Sequence, residues 1–192
     1  MDKLVLATQN TNKIEEMKSL VSDLGIEVFS ALDFPELKDV DEDQPTLDGN
    51  ALKKARYVHS ITGLPSLSDD TGLEVSALNG APGVYSARYA GENASYQDNV
   101  DKLLVEMKGK SNRSAQFRTV LALISDGNEH TFEGVCKGEI ILEEKGTAGF
   151  GYDPIFQPEG FQKTFAEFEA SEKNEISHRS RAVQKFVEFL SS

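Results

Sequence analysis

The sequence predicts a mixed α/β fold, in which short apolar strands alternate with amphipathic helices. At the N-terminus, an apolar run over residues 4–7 leads through a polar loop into a helical pattern. Residues 51–58 repeat the helical pattern before the next apolar run. Later, residues 116–125 and 131–142 alternate as two strands around an Asp-Gly-Asn sequence, which is a hairpin signal. The 192 residues fit one domain, or two lobes of one fold.

Composition argues against several classes of protein. The net charge of −12 argues against a general nucleic-acid binder and against an anionic membrane surface as partner. The single cysteine, Cys136, allows no internal disulfide, which suits a reducing compartment. The apolar run at the N-terminus is too short for a signal peptide, and no segment approaches the roughly 20 apolar residues of a membrane span. We therefore expect a soluble, cytoplasmic protein.

The first candidate site is the loop over residues 8–13, between the first strand and the first helix. Apolar residues at helical spacing follow the loop, Gly25 ends the pattern, and Asn12 is the predicted N-cap. A helix N-terminus carries free N–H groups and the positive end of the helix dipole, and Lys13 adds a full charge there. The loop therefore predicts a phosphate site, although an ordinary capped helix explains the same residues about as well.

The second candidate site is the pair Asp69 and Asp70. Residues 64–67 and 73–75 are typical of two short strands, so we expect a tight turn between them. Carboxylates held at a strand end can bind Mg²⁺ or accept a proton from water, which suits chemistry on phosphates. Turns also favour Asp, Thr and Gly for local reasons, so a plain surface turn is the alternative.

An acidic cluster over residues 39–43 precedes a helix that we expect to run from about Asp48 to Gly63. Such a cluster is usually a solvated loop, but its carboxylates can also supply a metal ligand. Lys53 and Lys54 lie off the apolar stripe of the helix. They are typical of solvent-facing charges, unless one of them points into a cleft.

Two further features lie in the C-terminal half. Phe150 stands between Gly149 and Gly151, an arrangement typical of a stacking platform for a nucleobase or of a hairpin turn with a buried aromatic ring. His178 and Arg179 begin the last predicted helix, where their positive charges oppose the helix dipole. Because such local conflicts gather at functional positions, the pair indicates a ligand site, unless both side chains turn to solvent.

Together, five of these stretches resemble the Ham1/inosine triphosphate pyrophosphatase family, in the family's order and over nearly the whole chain. They are residues 8–13, 68–73, 80–89, 150–154 and 177–179. No single stretch decides the resemblance, but the set is highly specific.

The resemblance implies both the fold and the activity. It implies one domain, residues 1–192, with two lobes, a long central mixed sheet flanked by helices, and an active site in the cleft between the lobes. It implies hydrolysis of the non-standard purine nucleotides ITP, dITP and XTP to the monophosphate and pyrophosphate, which cleanses the nucleotide pool. It also implies dependence on Mg²⁺ and a homodimer.

The resemblance also implies roles for individual residues. Asp70 matches the proton acceptor and metal ligand, and Asp69 lies beside it as a second carboxylate that holds metal or orients water. The other metal ligand falls on Asp41 or Glu42, because the acidic stretch of this chain departs from the family's pattern. The phosphate end of the substrate is matched by Thr8, Gln9, Asn10, Thr11, Asn12, Lys13, Lys53 and Thr71. The base end is matched by Phe150, Gly151, Tyr152, Asp153, Lys173, His178 and Arg179.

The chain departs from the family's pattern at two further positions. Gln9 stands where the family usually has glycine, and Gly49 stands where it often has glutamate. A nucleotide-binding sensor without turnover is therefore an alternative function. A phosphohydrolase that uses Asp69 or Asp70 as a covalent nucleophile is another, although the chain lacks the Asp-x-Asp pattern of such enzymes. A related pyrophosphatase for other modified nucleotides is a further alternative.

Overall fold

The computed structural model describes residues 1–191, and over these residues the chain forms a mixed α/β fold. The α-helices are α1 (Thr11–Leu20), α2 (Leu47–Thr62), α3 (Tyr96–Glu106), α4 (Ala170–Ile176) and α5 (His178–Leu190). The strands are β1 (Lys3–Leu6), β2 (Glu27–Ser30), β3 (Ser66–Val75), β4 (Pro82–Gly83), β5 (Ser114–Ser125), β6 (Asn128–Ile140) and β7 (Phe156–Pro158). The fold class predicted from the sequence is thus confirmed.

The strands form one mixed sheet in the order β2-β1-β3-β5-β6-β7, and β4 pairs with β3. β1 pairs in parallel with both β2 and β3, whereas the β3–β4 and β6–β7 pairs are antiparallel. In the register of β1 and β3, Leu6 lies opposite Leu67. The loop that follows β1 therefore begins next to the segment of β3 that carries Asp69 and Asp70.

The chain divides into two compact units. The first unit comprises Met1–Asp70, Thr119–Gly134 and the chain from Arg179 onward, and the second comprises Thr71–Arg118 and Val135–His178. In the first unit, successive residues of β1 point to opposite faces of the sheet. Leu4 and Leu6 belong to a core shared with Met17 of α1 and Phe186 of α5. Val5 and Ala7 belong to another core, shared with Val58 of α2.

The core of the second unit is rich in aromatic rings. The ring of Phe117 on β5 lies 4.7 Å from that of Phe156 and 5.9 Å from that of Phe165, measured between ring centroids. Val100 and Leu103 of α3 pack in the same cluster. These rings form the apolar base against which the candidate residues of the second unit lie.

The predicted turn at Asp69 and Asp70 is wrong, because β3 runs without a break from Ser66 to Val75. Gly72 lies inside the strand, and a Cβ atom there would come within 2.6 Å of the carbonyl oxygen of Gly83. The glycine therefore permits the close approach of β4 rather than a turn. The predicted hairpin is confirmed, with Asp126 and Gly127 at φ 51° and 75° between β5 and β6.

The start of α1 also differs from the prediction. The helix begins at Thr11, and its N-cap is Asn10, whose side chain accepts a hydrogen bond from the backbone N–H of Lys13 at 3.3 Å. Asn12 therefore lies inside the first turn, because the cap is formed two residues earlier. The helix ends at Leu20, and a short 3-10 turn leads to Gly25 at φ 66°. Among the described residues, no helix is both long and apolar enough to cross a membrane.

Candidate active site

The carboxylate of Asp69 is held by two cations. On the face of the sheet covered by α1 and α5, Arg179 Nε donates to Asp69 Oδ2 at 2.7 Å and Arg179 Nη2 to Oδ1 at 3.3 Å. Lys13 Nζ lies 2.6 Å from Oδ1. Arg179 Nη1 also donates to the carboxylate of Glu16. α1 therefore supplies a lysine and a glutamate, spaced three residues apart on one helix face, to the same network.

The electrostatics of this network favour its charged state. Burial alone raises the pKa of Asp69, but the charges of Arg179 and Lys13 outweigh burial and hold it well below its usual range. Burial likewise opposes the charge of Arg179, yet Asp69 and Glu16 raise its pKa. Asp69 is therefore ionised and fully engaged at neutral pH.

The carboxylate of Asp70 lies in different surroundings, on the face covered by α2. Lys54 Nζ donates to Asp70 Oδ1 at 2.9 Å and to Glu42 Oε1 at 2.6 Å, so two carboxylates share one ammonium group. The same ammonium donates to the carbonyl oxygen of Asp69 at 2.9 Å. Ser68, also on this face, anchors β3 to α2 through a hydrogen bond from its hydroxyl to the carbonyl oxygen of Ala51, at 2.6 Å.

Burial is the main cause that raises the pKa of Asp70 to about 6. The negative charge of Glu42 also raises it, and the attraction of Lys54 lowers it but does not offset the other two effects. The pKa of Glu42 is lowered, since Lys54 outweighs its burial. The pair Glu42 and Asp70 thus binds its first proton on Asp70, the more buried of the two groups.

The structure separates the residues that the sequence left ambiguous. Asp41 is exposed and contributes its carbonyl oxygen to Lys53 Nζ at 2.8 Å, whereas Glu42 turns its carboxylate toward Lys54. Lys53 itself pairs with Asp43, also at 2.8 Å, away from Asp70. Lys54, and not Lys53, therefore contacts Asp70, and the contact of Lys53 with the triphosphate stays a prediction.

The loop over residues 8–13 leads into the N-terminus of α1 and lies beside β3. The backbone N–H of Asn10 donates to the hydroxyl of Thr8 at 3.2 Å. Gln9 and Thr11 are exposed, and Asn12 is half-buried. Lys13 contacts β3 through the carboxylate and carbonyl oxygens of Asp69.

The second unit contains the candidate base platform. Gly149 and Gly151 have φ angles of 73° and 62°, which are open to glycine and strained for most other residues. The backbone N–H of Phe150 donates to Asp153 Oδ2 at 2.9 Å, and the same oxygen accepts from Lys173 Nζ at 2.7 Å. Lys173 Nζ also lies 5.2 Å from the centroid of the Phe150 ring. A buried ion pair thus fixes the backbone of this loop.

The remaining candidates of this unit are buried or half-buried. The hydroxyl of Tyr152 donates to the carbonyl oxygen of Ser86 at 2.8 Å, which ties the loop to the segment after β4. His178 stacks on Phe117, with ring centroids 4.5 Å apart and planes inclined at 17°. Thr71 follows Asp70 in β3 and is half-buried.

Comparison with known proteins decides the family. The Ham1 family model matches residues 4–189. The chain belongs to the Ham1 family. A curated relative from Christiangramia forsetii, named dITP/XTP pyrophosphatase, is 51% identical over 189 residues, which cover 98% of this chain and 99% of the relative. A relative of the same name from Flavobacterium johnsoniae is 49% identical over 190 residues, or 99% and 98% of the two chains.

Solved Ham1 structures have the same fold. A HAM1 protein from Coxiella burnetii is 42% identical, with a TM-score of 0.91 over 100% of this chain and 99% of its own. The Staphylococcus aureus Ham1 protein is 38% identical, with a TM-score of 0.89 over 98% of both chains. The resemblance stated from the five sequence motifs is thus confirmed over the full length.

Within this Ham1 chain, the predicted residues fall into two clusters. Lys13, Asp69 and Asp70 come together in the first unit, and Phe150, Asp153 and Lys173 come together in the second. Arg179 joins the first cluster, although we expected it at the base. Its neighbour His178 packs among aromatic rings of the second unit. Base contacts by these two residues stay a prediction.

Sequence reasoning missed two members of the first cluster. Glu16 is hard to single out in the sequence, because a glutamate on an amphipathic helix usually faces solvent; its spacing of three from Lys13 is the available signal. Lys53 and Lys54 both lie off the apolar stripe of the helix, and the resemblance implies a substrate contact for Lys53 alone. The two lysines are adjacent, so a 100° step around α2 decides which of them faces β3.

Proposed function

We propose that the protein hydrolyses ITP, dITP and XTP to the monophosphate and pyrophosphate with Mg²⁺. The names of its curated relatives support the substrate class. The observation that carries the chemistry is the cluster of Asp70, Glu42 and Lys54, with Lys13 nearby on the other face of β3. It combines paired carboxylates with cations, which is what cleavage of a triphosphate requires.

Glu42 and Asp70 are the residues that would hold Mg²⁺. Mg²⁺ is commonly bound by one or two carboxylates together with substrate phosphates, and these two carboxylates already face a common cation. Among residues 1–191 no group of three or more potential ligands is assembled, so substrate oxygens would complete the set. When bound, the ion neutralises charge on the phosphate oxygens.

Asp70 accepts the proton of the attacking water. Without metal, burial raises the pKa of Asp70 to about 6, so the carboxylate is mostly ionised at neutral pH and can accept a proton. The water oxygen forms a bond to the α-phosphorus, and the bond from that phosphorus to the bridging oxygen breaks. Pyrophosphate leaves with the bonding electrons, and Lys54 and Lys13 offset the charge that develops on it.

Asp69 has a positioning role. Its two oxygens are occupied by Arg179 and Lys13, and its low pKa makes it a poor proton acceptor. It fixes the ammonium of Lys13 at the phosphate end. Arg179, oriented by Glu16, serves in the same way by holding Asp69.

The base end of the substrate would stack on Phe150. Lys173, whose ammonium is fixed by Asp153, offers a cationic donor beside that ring. Such a donor can hydrogen-bond the 6-oxo group of hypoxanthine and xanthine. It cannot hydrogen-bond the 6-amino group of adenine, which is itself a donor. A site built to bind one of these groups rejects the other by roughly 10⁴-fold. Gly151, Tyr152 and His178 would complete the wall of this pocket.

Three expectations from the resemblance stay predictions. They are the homodimer, the cytoplasmic location, and the binding of one substrate in a cleft between two lobes. Size-exclusion chromatography with light scattering measures the first directly.

The decisive experiment measures turnover of ITP, dITP, XTP, GTP and ATP with Mg²⁺ and scores pyrophosphate separately from phosphate. We expect pyrophosphate from the first three, little from ATP, and a loss of about 10³-fold in Asp70→Asn. Orthophosphate as the direct product would place cleavage at the γ-phosphate and overturn the mechanism. Tight binding of ITP without turnover would instead identify a sensor. An aspartyl-phosphate trapped on the protein would identify covalent catalysis.

A further inference from the structure

An aromatic residue outside the motifs of the resemblance lies against the base platform. The ring centroids of Tyr96 and Phe150 are 5.9 Å apart, and the ring planes are inclined at 42°. Tyr96 is the first residue of α3 and is 44% exposed, and both residues belong to the second unit. Aromatic rings at this distance stabilise each other by more than the burial of their surface area alone accounts for.

The backbone at Phe150 cannot fix the orientation of its ring. Both neighbours are glycines with positive φ, which restrict the chain least of all residues. The hydrogen bond from the Phe150 N–H to Asp153 holds the main chain and leaves χ1 and χ2 undetermined. The ring orientation therefore depends on side chains that contact the ring, among them Lys173 and Tyr96.

Tyr96 is itself well anchored. Ser95 and Asp98 form a reciprocal capping box at the start of α3, with the Ser95 N–H donating to Asp98 Oδ2 at 2.8 Å. The side chain of Gln97 donates to Glu144 Oε1 at 2.7 Å, which ties the first turn of α3 to the segment before Phe150. The Tyr96 ring is thus presented from a fixed backbone to a ring whose own backbone contacts leave its orientation open.

We propose that Tyr96 is a positioning residue for the purine, because it holds the Phe150 ring in the orientation that stacks on the base. This inference rests on the proposed function, in which Phe150 is the platform. If the ring is already ordered in the free protein, less conformational entropy is lost when the nucleotide binds. Tyr96 therefore strengthens binding of nucleotides equally in the ground and transition states, and it raises neither kcat nor the affinity for a ligand without a base.

The first test compares KM and kcat for ITP in the wild type, Tyr96→Ala and Tyr96→Phe. We expect KM to rise about three- to tenfold in Tyr96→Ala at unchanged kcat, and Tyr96→Phe to restore it because the ring remains. Inorganic tripolyphosphate, a competitor without a base, should keep its inhibition constant in all three. The matched control is Tyr85→Ala, which removes an exposed tyrosine that lies over Arg88 instead and should leave KM unchanged.

The second test is a double-mutant cycle with Phe150→Ala, in which calorimetric ITP binding is measured beside turnover. If Tyr96 acts through Phe150, Tyr96→Ala adds nothing once the Phe150 ring is gone. Additive losses would overturn the inference, and so would an unchanged KM in Tyr96→Ala or an equal loss of tripolyphosphate affinity. If Phe150→Ala itself leaves ITP binding intact, the base site of the proposed function fails as well, which separates the two failures.

Discussion

Asp69 and Asp70 are neighbours in one strand, yet their side chains lie in opposite surroundings. Asp69 faces α1 and α5, where Arg179 and Lys13 hold its pKa well below the ordinary range. Asp70 faces α2, where burial and the nearby Glu42 raise its pKa to about 6 despite Lys54. The two-residue period of a β-strand thus converts one Asp-Asp sequence into two different chemical groups.

The difference between the two groups follows from their charge balance. Around Asp69, two cations face two carboxylates, its own and that of Glu16, so every buried charge has a partner. Around Asp70, one ammonium serves two carboxylates, so the face carries an excess of negative charge. A balanced network stabilises the structure that it fixes, whereas an excess of carboxylate suits a site that receives a cation and a proton.

The largest expected effect comes from breaking the balanced face with Arg179→Met. Removing one partner of a buried ion pair leaves an uncompensated charge, so we expect the free energy of unfolding to fall by about 3–5 kcal/mol. Urea denaturation at neutral pH measures the change. The double variant Asp69→Asn/Arg179→Met should recover part of the loss, because it removes one of the two carboxylates that would otherwise face Lys13 alone. A loss below about 1 kcal/mol in the single variant would show that the network does not stabilise the fold.

The next largest effect separates the two adjacent lysines of α2. Lys54→Met removes the ammonium shared by Glu42 and Asp70, and we expect kcat/KM for ITP to fall on the order of 10²-fold. Because Lys54 lowers the pKa of Asp70, the acid limb of the pH–rate profile should also move to higher pH. Steady-state kinetics between pH 5 and 9 measure both changes.

Lys53→Met is the matched control, since it removes a neighbouring lysine that pairs with exposed Asp43. It should change kcat/KM by no more than about twofold, as expected for an exposed ion pair. If Lys53→Met proved the more damaging of the two, the lysine predicted from the sequence would be the functional one, and the assignment of Lys54 would be wrong.

The two faces of β3 also show which parts of the fold and the site could be predicted from the sequence. Apolar spacing predicted α2 and the hairpin of β5 and β6, because local periodicity and turn residues determine them. Lys13, Asp69 and Asp70 were singled out by their charges and by the family resemblance, and the structure places Lys13 against Asp69. The strand through Asp69 and Asp70 was not predicted, since Gly72 serves the approach of β4, a contact that local sequence does not reveal.

The partners of the two aspartates were harder to predict than the aspartates themselves. Arg179 is 110 residues from Asp69, and its placement beside that carboxylate depends on how α5 packs in the first unit. Lys54 and Lys53 differ by one step around a helix, so a shift of one position in the assumed orientation exchanges them. Tertiary packing, and not residue type, therefore decides which charge meets which.

The smallest expected effect is on the pH dependence of the free energy of unfolding, which should differ between Asp70 and Asp69. The folded pKa of Asp70, about 6, is raised above the ordinary value of 3.8, so its contribution to stability is full below 3.8 and is lost as pH rises through 6. Between pH 5 and pH 8, in the presence of a chelator, the wild type should lose about 1 kcal/mol of unfolding free energy relative to Asp70→Asn. Urea denaturation at the two pH values measures this difference.

Asp69→Asn is the contrasting variant for the same measurement. The pKa of Asp69 is lowered, so its contribution is present above the ordinary value and is lost only as pH falls far below 5. The stability difference between the wild type and Asp69→Asn should therefore be large and nearly equal at pH 5 and pH 8. If both variants gave the same pH dependence, the two carboxylates would share one environment, and the assignment of separate roles to the two faces of β3 would fail.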